Sequence, residues 1–288
     1  MDISDIIDIL LCPDDHSSIS FFNNELVCEN CKRKFEIKEN ILDMTPKVKT
    51  DISNSDEKIP YFNYYESLFQ NGTPGDEGTF GLSEKSISEG FVNETLHHLE
   101  KNITLNDIVC DVGAATGDYS LHLAKKCKLI IHCDLDLNGL LISKKKANQK
   151  NVNNILFLRC DYFKMPFKNN KIDLAYSIDV IERGISHDKK LIKEISRTIK
   201  SQGTLIFDYH TKERSKLTRI NPTYLLTYSN SDVETLLDKI SFSKLTLVGT
   251  GFVPQLKKWS NLEYSILNPL SKLLKFPPGR KLVICLIQ

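Results

Sequence analysis

Apolar and polar residues follow two different periods along this chain, and the change between the periods divides it. From residue 107 onward, short apolar runs typical of strands alternate with stretches whose apolar residues recur every three or four positions, as in helices. Strands are predicted at 107–112, 128–133, 154–159, 172–177, 203–209, 242–252 and 281–287, and helices at 83–101, 118–127, 137–149, 187–200 and 231–239. This alternation predicts an α/β fold with a doubly wound, Rossmann-like sheet of seven mostly parallel strands. The last two strands are expected to pair antiparallel.

The N-terminal part of the chain follows a different pattern, with short alternating runs and turns. Apolar residues at Ile19–Phe22 and at Leu26-Val27 flank an Asn23-Asn24 turn, which predicts a hairpin. The polar stretch at 47–60 predicts a linker. We therefore predict a small β unit at 1–46, the linker, and an α/β domain at 61–288 with an insertion at 253–280.

Composition places the chain among ordinary globular proteins, because 41% of its residues are hydrophobic and 26% are charged. Acidic residues near the N-terminus do not fit a signal peptide, and the longest apolar run, 282–287, is far shorter than the ~20 residues that a membrane span needs. Eight unevenly placed cysteines fit a reducing compartment. We expect a cytoplasmic protein without a transmembrane segment.

Charge is distributed unevenly and bears on the class of partner. Residues 1–60 hold 13 acids and 7 bases, a net charge of −6, so the remaining residues carry +7 within a total of +1. Nucleic-acid binding requires a basic face that contacts phosphates. The acidic N-terminal unit therefore argues against a nucleic-acid partner and in favour of a small-molecule one.

Thiols in the N-terminal unit have the spacing of a metal site. Cys28 and Cys31 form a Cys-x2-Cys pair, which is half of a tetrahedral zinc site, and Cys12 with His16 supplies a workable second half. Asp15 is the competing fourth ligand. We predict a structural zinc ion held by Cys12, His16, Cys28 and Cys31. The alternative is a metal-free unit with buried thiols.

A glycine-containing turn, Asp111–Asp118, follows the first strand of the α/β domain and suits a nucleoside cofactor. A phosphate-binding P-loop is excluded, because Asp118 and Tyr119 stand where that loop requires Lys and Ser or Thr. A dinucleotide site is disfavoured, because Ala115 and Asp118 replace glycines and an acid would repel the pyrophosphate. S-adenosylmethionine has no phosphate, and its ammonium group favours a carboxylate such as Asp111. Asp134, after the second strand, can accept hydrogen bonds from two ribose hydroxyls.

Four motifs in this order resemble those of the class I S-adenosylmethionine-dependent methyltransferases. They are the loop at 111–117, the acid at 134, the segment 157–167 and the segment 173–183, in which Arg183 replaces the usual His. The resemblance implies that S-adenosylmethionine is bound by Asp111, Gly113, Ala115, Gly117, Asp134, Leu135, Asp161, Tyr162 and Ser177. The N-terminal unit resembles the Trm112-like zinc ribbon that precedes some bacterial methyltransferases.

The expected activity is methyl transfer to an O, N or C atom of a small organic acceptor. Groups after the fourth and fifth strands face the acceptor, so His210, Asp179 and Glu182 are the predicted catalytic residues. An rRNA or tRNA base methyltransferase and a non-catalytic scaffold remain as alternatives. The apolar insertion at 253–280 fits either a lid over the acceptor or a surface that meets lipid.

Overall fold

The computed structural model describes residues 6–22, 25–48, 87–181, 183–218, 226–252 and 261–288. The strands are β1 (Ile19–Phe22), β2 (Glu25–Cys28), β3 (Lys34–Phe35), β4 (Ile37–Lys38), β5 (Ile41–Asp43), β6 (Ile108–Val112), β7 (Leu129–Asp134), β8 (Ile155–Arg159), β9 (Ile172–Ser177), β10 (Ile199–His210), β11 (Phe242–Thr250) and β12 (Arg280–Ile287). The helices are α1 (Ile87–Glu100), α2 (Ser120–Leu123), α3 (Leu137–Gln149), α4 (Ile185–Thr198), α5 (Lys212–Thr218), α6 (Asn230–Leu237) and α7 (Asn261–Leu273), with 3-10 turns at Ile7–Ile9 and Ala124–Lys126.

Strands β6 to β12 form the predicted doubly wound sheet, in the order β11-β12-β10-β9-β6-β7-β8. Neighbouring strands from β10 across to β8 run parallel. Strand β12 lies antiparallel between β10 and β11. The prediction of a mostly parallel sheet with a late antiparallel pair is confirmed.

Burial on both faces of this sheet explains why its central strands are almost uniformly apolar. In β6, Val109 packs into the hydrophobic core on one face, whereas Cys110 and Val112 pack into the core on the other face. In β7, Ile130 and Ile131 divide in the same way. A parallel strand covered on both faces cannot show the alternation of an exposed strand, so it appears in sequence as a short continuous apolar run.

The N-terminal unit extends the main sheet, which therefore has nine strands instead of the predicted seven. Strand β5 pairs parallel with β8, placing Ile41 opposite Phe157 and Leu42 opposite Leu158, and β4 pairs antiparallel with β5. Ile41 and Leu42 are both buried. They cover an edge of β8 that would otherwise expose unpaired backbone groups. Strands β1, β2 and β3 form a separate three-stranded sheet, and the β1–β2 hairpin is the predicted one.

One predicted helix differs from the structure, two observed helices were not predicted, and other predictions lie outside the described residues. The helix predicted at 118–127 is only the short α2 followed by a 3-10 turn, and helices α5 and α7 within the connecting segments were not predicted. Residues 49–60 of the predicted linker, residues 253–260 of the predicted insertion and residues 61–81 at the start of the predicted α/β domain are outside the described residues. Among the described helices, none combines the length and apolarity needed to cross a bilayer.

Candidate cofactor and acceptor site

The glycine loop lies where the strand order reverses, between β6 and β9 at the carboxyl edge of the sheet. Gly113 has a φ of 78°, and an added Cβ atom would lie 2.5 Å from Cγ2 of Val180, in the segment after β9. Gly117 has a φ of 83°, and its Cβ atom would lie 2.2 Å from Oγ of Ser143 on α3. Glycine is required at both positions by backbone conformation and by space. Such crevices bind ligands in open α/β sheets.

Asp134 holds the middle of this loop in place. Ala115 adopts a left-handed conformation with a φ of 47°, and its N–H donates to Oδ2 of Asp134 at 2.7 Å. The other oxygen, Oδ1, accepts from the N–H of Asp136 at 2.9 Å. Asp136 in turn caps α3 by accepting from the N–H groups of Asn138 and Gly139. The acid predicted to bind ribose therefore also ties two cofactor-side turns together.

Asp111 lies beneath the loop in a buried polar network. Oδ2 of its carboxyl group lies within hydrogen-bond distance of Oγ of Ser120 and accepts, at 2.8 Å, from the hydroxyl of Tyr176. His132 continues the network, with Nδ1 2.8 Å from Oγ of Ser120 and Nε2 3.2 Å from the carbonyl oxygen of Ala115. Burial raises the pKa of Asp111 to about 7 and lowers the pKa of His132 to about 4. Sequence reasoning missed His132, although a histidine inside an apolar strand was a usable signal.

The other predicted cofactor residues lie along the same edge of the sheet. The carbonyl oxygen of Leu135 accepts from Nε of Arg159 at 3.1 Å. Asp161 is buried just beyond β8, and its Oδ1 accepts from the N–H of Phe163 at 3.0 Å. The rings of Tyr162 and Phe163 are tilted against each other, with centroids 5.2 Å apart. Ser177 ends β9 and donates from Oγ to the carbonyl oxygen of Val112 at 3.0 Å.

A second polar group stands at the ends of β9 and β10, and we call Asp179, Asp208, His210 and Arg280 the acceptor-side cluster. Asp179 has a left-handed φ of 61°, and its N–H donates to Oδ1 of Asp208 at 2.8 Å. Nη1 of Arg280 donates to Asp179 and, at 2.8 Å, to Oδ2 of Asp208. Arg280 begins β12 directly opposite His210 of β10. Glu182, the third predicted catalytic residue, lies outside the described residues.

The charges of this cluster set the protonation of its members. Burial lowers the pKa of His210 to about 4, and the nearby guanidinium of Arg280 acts in the same direction. Burial acts to lower the pKa of Arg280, but the carboxylates of Asp179 and Asp208 outweigh it and raise that pKa. His210 is therefore neutral near pH 7 and able to accept a proton, but its lowered pKa makes it a weaker base than an imidazole in water. Sequence reasoning missed Arg280, because nothing in its local pattern marks it.

Three thiols and one carboxylate converge in the N-terminal unit. The ligand atoms of Cys12, Asp15, Cys28 and Cys31 all lie within 4.8 Å of one another. The sulfur atoms of Cys12 and Cys31 are 3.8 Å apart, and the sulfur of Cys28 is 3.5 Å from Oδ1 of Asp15. Zinc bond lengths of about 2.3 Å to sulfur and about 2.0 Å to oxygen give tetrahedral edges of about 3.8 Å and about 3.5 Å.

Histidine 16, the predicted fourth ligand, is not part of this group. His16 is exposed, and its backbone has a left-handed φ of 58°. The turn that produces this conformation instead directs Asp15 to the thiols, where its carboxylate also accepts from the N–H of Ser17 at 3.0 Å. A metal site built on Cys12, His16, Cys28 and Cys31 stays a prediction, and the geometry favours Asp15, the competing fourth ligand, over His16.

Comparison with known proteins agrees with this geometry. Residues 110–207 match a family model described as a methyltransferase domain. A ubiquinone/menaquinone biosynthesis C-methyltransferase, UbiE, of Rickettsia typhi is 32% identical over 124 residues, which cover 38% of this chain and 50% of the relative. A UbiE of Rickettsia bellii is 30% identical over 120 residues, which cover 39% of this chain and 48% of the relative. The chain thus spans about half the length of the curated relatives that it matches.

Solved structures show that the fold is that of the S-adenosylmethionine-dependent methyltransferases. The magnesium protoporphyrin IX methyltransferase of Synechocystis PCC 6803, solved with bound SAH, superposes with a TM-score of 0.54 at 15% identity, covering 81% of this chain and 100% of that one. A methyltransferase of Aquifex aeolicus gives a TM-score of 0.50 at 17% identity, covering 78% and 98%. Identities this low establish the architecture and leave the acceptor open.

Proposed function

We propose that this chain is an S-adenosylmethionine-dependent methyltransferase that acts on a small organic acceptor. The observation that carries the proposal is the loop at the switch point, where Gly113 and Gly117 have no room for a side chain and Asp134 holds the backbone of Ala115. The glycine turn, Asp134 at the end of β7 and the buried Asp161 after β8 thus lie along one edge of the sheet. The domain match at residues 110–207 supports the same function.

Each end of the cofactor has a candidate partner along this edge. The carboxylate of Asp134 would accept from the ribose hydroxyls, and Asp161 would accept from the adenine amino group. Asp111, when ionised, would attract the ammonium group of the methionine part, because the two charges are then opposite. Leu135, Tyr162 and Ser177 would line the space between them. S-adenosylmethionine has no phosphate group, so its site needs no basic residues to bind one. The acidic residues along this edge fit such a ligand.

Methyl transfer from a sulfonium is an in-line displacement that mainly requires positioning. Bound S-adenosylmethionine would supply the methyl group: the acceptor's nucleophilic atom would form the new bond to the methyl carbon while the bond from carbon to sulfur breaks and leaves its electron pair on sulfur. When the acceptor must also lose a proton, a base is needed. We assign this role to His210, which is neutral near pH 7, with Asp179 held by Arg280 beside it. Glu182 is the remaining candidate from the sequence.

For the acceptor we favour carbon methylation of a quinone precursor. The support is the similarity to the UbiE proteins, whose name describes C-methylation in ubiquinone and menaquinone biosynthesis. The alternative of RNA methylation is disfavoured, because the N-terminal 60 residues carry a net charge of −6.

Calorimetric titration with S-adenosylmethionine tests the proposed function directly. Gly117→Ala should weaken binding by about tenfold or more, because a methyl group at this left-handed position both strains the loop and overlaps Ser143. Gly251→Ala is the matched control, since Gly251 also has a positive φ, of 63°, but no atom lies within 4 Å of its added Cβ. Absence of cofactor binding by the unaltered protein would refute the function.

We further propose that the N-terminal unit holds one structural zinc ion through Cys12, Asp15, Cys28 and Cys31. The sulfur and oxygen separations support tetrahedral coordination, and zinc binding favours the deprotonated thiols. Metal analysis of purified protein should give about one zinc per chain. Asp15→Ala should lower this content strongly, whereas His16→Ala should leave it unchanged. Loss of zinc from the His16 variant alone would contradict the assignment of Asp15.

A further inference from the structure

Helix α7 presents its apolar side outward. Ile266, Leu270, Leu273 and Leu274 are all exposed, and their spacing of four, three and one residues places them on one face of the helix. Phe276, just after the helix, is also exposed. We call these five residues the α7 stripe. A helix that only covers a domain normally has the opposite orientation, with its apolar face toward the core.

Polar groups of α7 point toward the protein. Oδ1 of Asn268 accepts from the N–H of Phe252 at 2.7 Å, and its Nδ2 is 3.4 Å from Oε2 of Glu94 on α1. The same carboxylate oxygen accepts from the N–H of Gly251 at 3.1 Å. The amide of Asn268 and the carboxylate of Glu94 therefore hold α7 against α1 and the segment after β11. These contacts leave the leucine side chains pointing outward.

A short stretch of chain joins the α7 stripe to the acceptor-side cluster. The chain after α7 passes through Gly279, whose carbonyl oxygen accepts from the N–H of Thr211 at 3.1 Å, and continues directly into Arg280. Thr211 follows His210. A partner that covers the α7 stripe would thus lie near the edge of the sheet that holds His210 and Arg280, where we propose that the acceptor binds.

The surroundings of the α7 stripe are basic. Residues 261–288 contain four bases and one acid, Glu263, and because Arg280 is paired with Asp179 and Asp208, the bases that remain are Lys272, Lys275 and Lys281. Lys101, at the end of α1, belongs to the same region, because Lys101 and Lys272 both act on His98, whose pKa is lowered first by burial and then by these charges. The apolar residues are therefore bordered by positive charge, which complements an anionic surface.

We infer that the α7 stripe docks this protein onto an anionic lipid surface. An amphipathic helix with Leu and Phe on one side and lysines beside them lies in the interfacial plane of a bilayer. A second copy of the chain fits less well, because the basic borders would repel each other and a stable interface needs about 1,000 Å² or more, well beyond one short helical stripe. Docking in this orientation brings the acceptor-side cluster to the membrane, where a lipophilic acceptor is dissolved.

Vesicle flotation of the full chain without cofactor tests this inference separately from the methyltransferase proposal. The unaltered protein should float with vesicles of phosphatidylcholine and phosphatidylglycerol, and much less with phosphatidylcholine alone. Leu273→Glu combined with Leu274→Glu should lower the bound fraction by at least about tenfold, because two side chains leave the apolar phase. Lys275→Gln should lower binding to the anionic vesicles by about fivefold.

Val48→Glu is the control, since Val48 is 74% exposed and Leu273 is 77% exposed, but Val48 follows β5, near the edge of the sheet opposite to β11 and β12. This variant should float like the unaltered protein. The inference is overturned when the unaltered protein stays at the bottom of the gradient, or when Val48→Glu and the stripe variants lose binding equally. It is also overturned when light scattering without vesicles shows a dimer that the stripe substitutions dissociate.

Discussion

At the residue scale, the network under the glycine loop requires one proton more than its members ordinarily carry. The carbonyl oxygen of Ala115 can only accept, so Nε2 of His132 must carry a hydrogen, and Nδ1 then accepts from Ser120 when the ring is neutral. The single hydroxyl hydrogen of Ser120 is thereby used. The contact between Ser120 and Asp111 is then satisfied by a hydrogen on the carboxyl group of Asp111. This count agrees with the pKa of Asp111, which burial raises to about 7.

The two shifted pKa values act on stability in opposite directions. For Asp111, the pKa rises from 3.8 to about 7, so its stabilisation is full below about pH 4 and is lost as pH rises through about 7. For His132, the pKa falls from 6.5 to about 4, so its stabilisation is full above about pH 6.5 and is lost as pH falls through about 4. The contributions largely cancel between about pH 4 and 6.5, which makes stability a poor reporter of either group.

Cofactor binding should report Asp111 more clearly. The ammonium group of S-adenosylmethionine favours the ionised carboxylate, whose fraction rises from about 0.1 at pH 6 to about 0.9 at pH 8. We expect the affinity of the unaltered protein, relative to Asp111→Asn, to rise by about tenfold over this range. Taking the ratio removes the titration of the ligand's own amino group. Calorimetric dissociation constants that give a constant ratio would show that Asp111 does not meet the ammonium.

At the element scale, the antiparallel insertion of β12 between β10 and β11 completes the acceptor-side cluster. It brings Arg280 to Asp208 and Asp179, which precede it by 72 and 101 residues in sequence. Asp208 is almost fully buried, and the side chain of Arg280 is only 17% exposed. The guanidinium therefore neutralises charge that water reaches poorly, and its removal would leave two adjacent carboxylates without compensation.

Arg280→Met should consequently lower the free energy of unfolding by about 3 kcal/mol, because breaking a buried pair leaves uncompensated charge. Chemical denaturation measures this change. Lys189→Met provides the comparison, since the ion pair between Lys189 and Asp238 is more exposed and should contribute no more than about 1 kcal/mol. Equal effects from the two substitutions would mean that the Arg280 pairs are as well solvated as a surface pair.

Strand and helix patterns were mostly sufficient to predict the elements themselves. Strands β6 to β12 were all predicted, because most contain a short apolar run and β11 alternates apolar and polar residues. Helix α7 was not predicted as a helix, because Pro269 lies inside it and proline is typical of irregular segments. Its apolar residues also face outward, so the segment resembles an insertion in sequence. The direction in which a helix turns its apolar side depends on partners such as Glu94 and Phe252, which are distant in sequence.

At the scale of the whole molecule, the N-terminal unit that carries the proposed zinc site contributes β4 and β5 to the main sheet. Strand β5 pairs with β8, and Arg159 of β8 forms an ion pair with Asp43 at 3.0 Å. On the side of the thiols, Arg33 bridges from Asp14 to the carbonyl oxygen of Thr45, each at 2.7 Å. Backbone pairing and charged contacts thus connect the proposed metal site to the edge of the cofactor domain.

Removal of the metal should therefore destabilise the entire chain. In differential scanning calorimetry, a chelator is expected to move a single unfolding transition to lower temperature, since ligand binding to the folded state stabilises whatever unfolds with it. Asp15→Ala without chelator should show the same lowered transition. Two separate transitions, of which only the smaller responds to the chelator, would show that the N-terminal unit unfolds independently of the sheet.

The sequence by itself determined the doubly wound sheet, the glycine loop and the acids that follow successive strands, because these depend on apolar runs and on local backbone requirements. It also located the thiols. Only the tertiary structure brought Asp15, and not His16, close to these thiols, extended the main sheet with β4 and β5, and joined Arg280 to Asp179 and Asp208. These features depend on the direction of a turn, the pairing of a distant edge and the meeting of strands far apart in sequence. None of them leaves a periodic pattern in the amino-acid order.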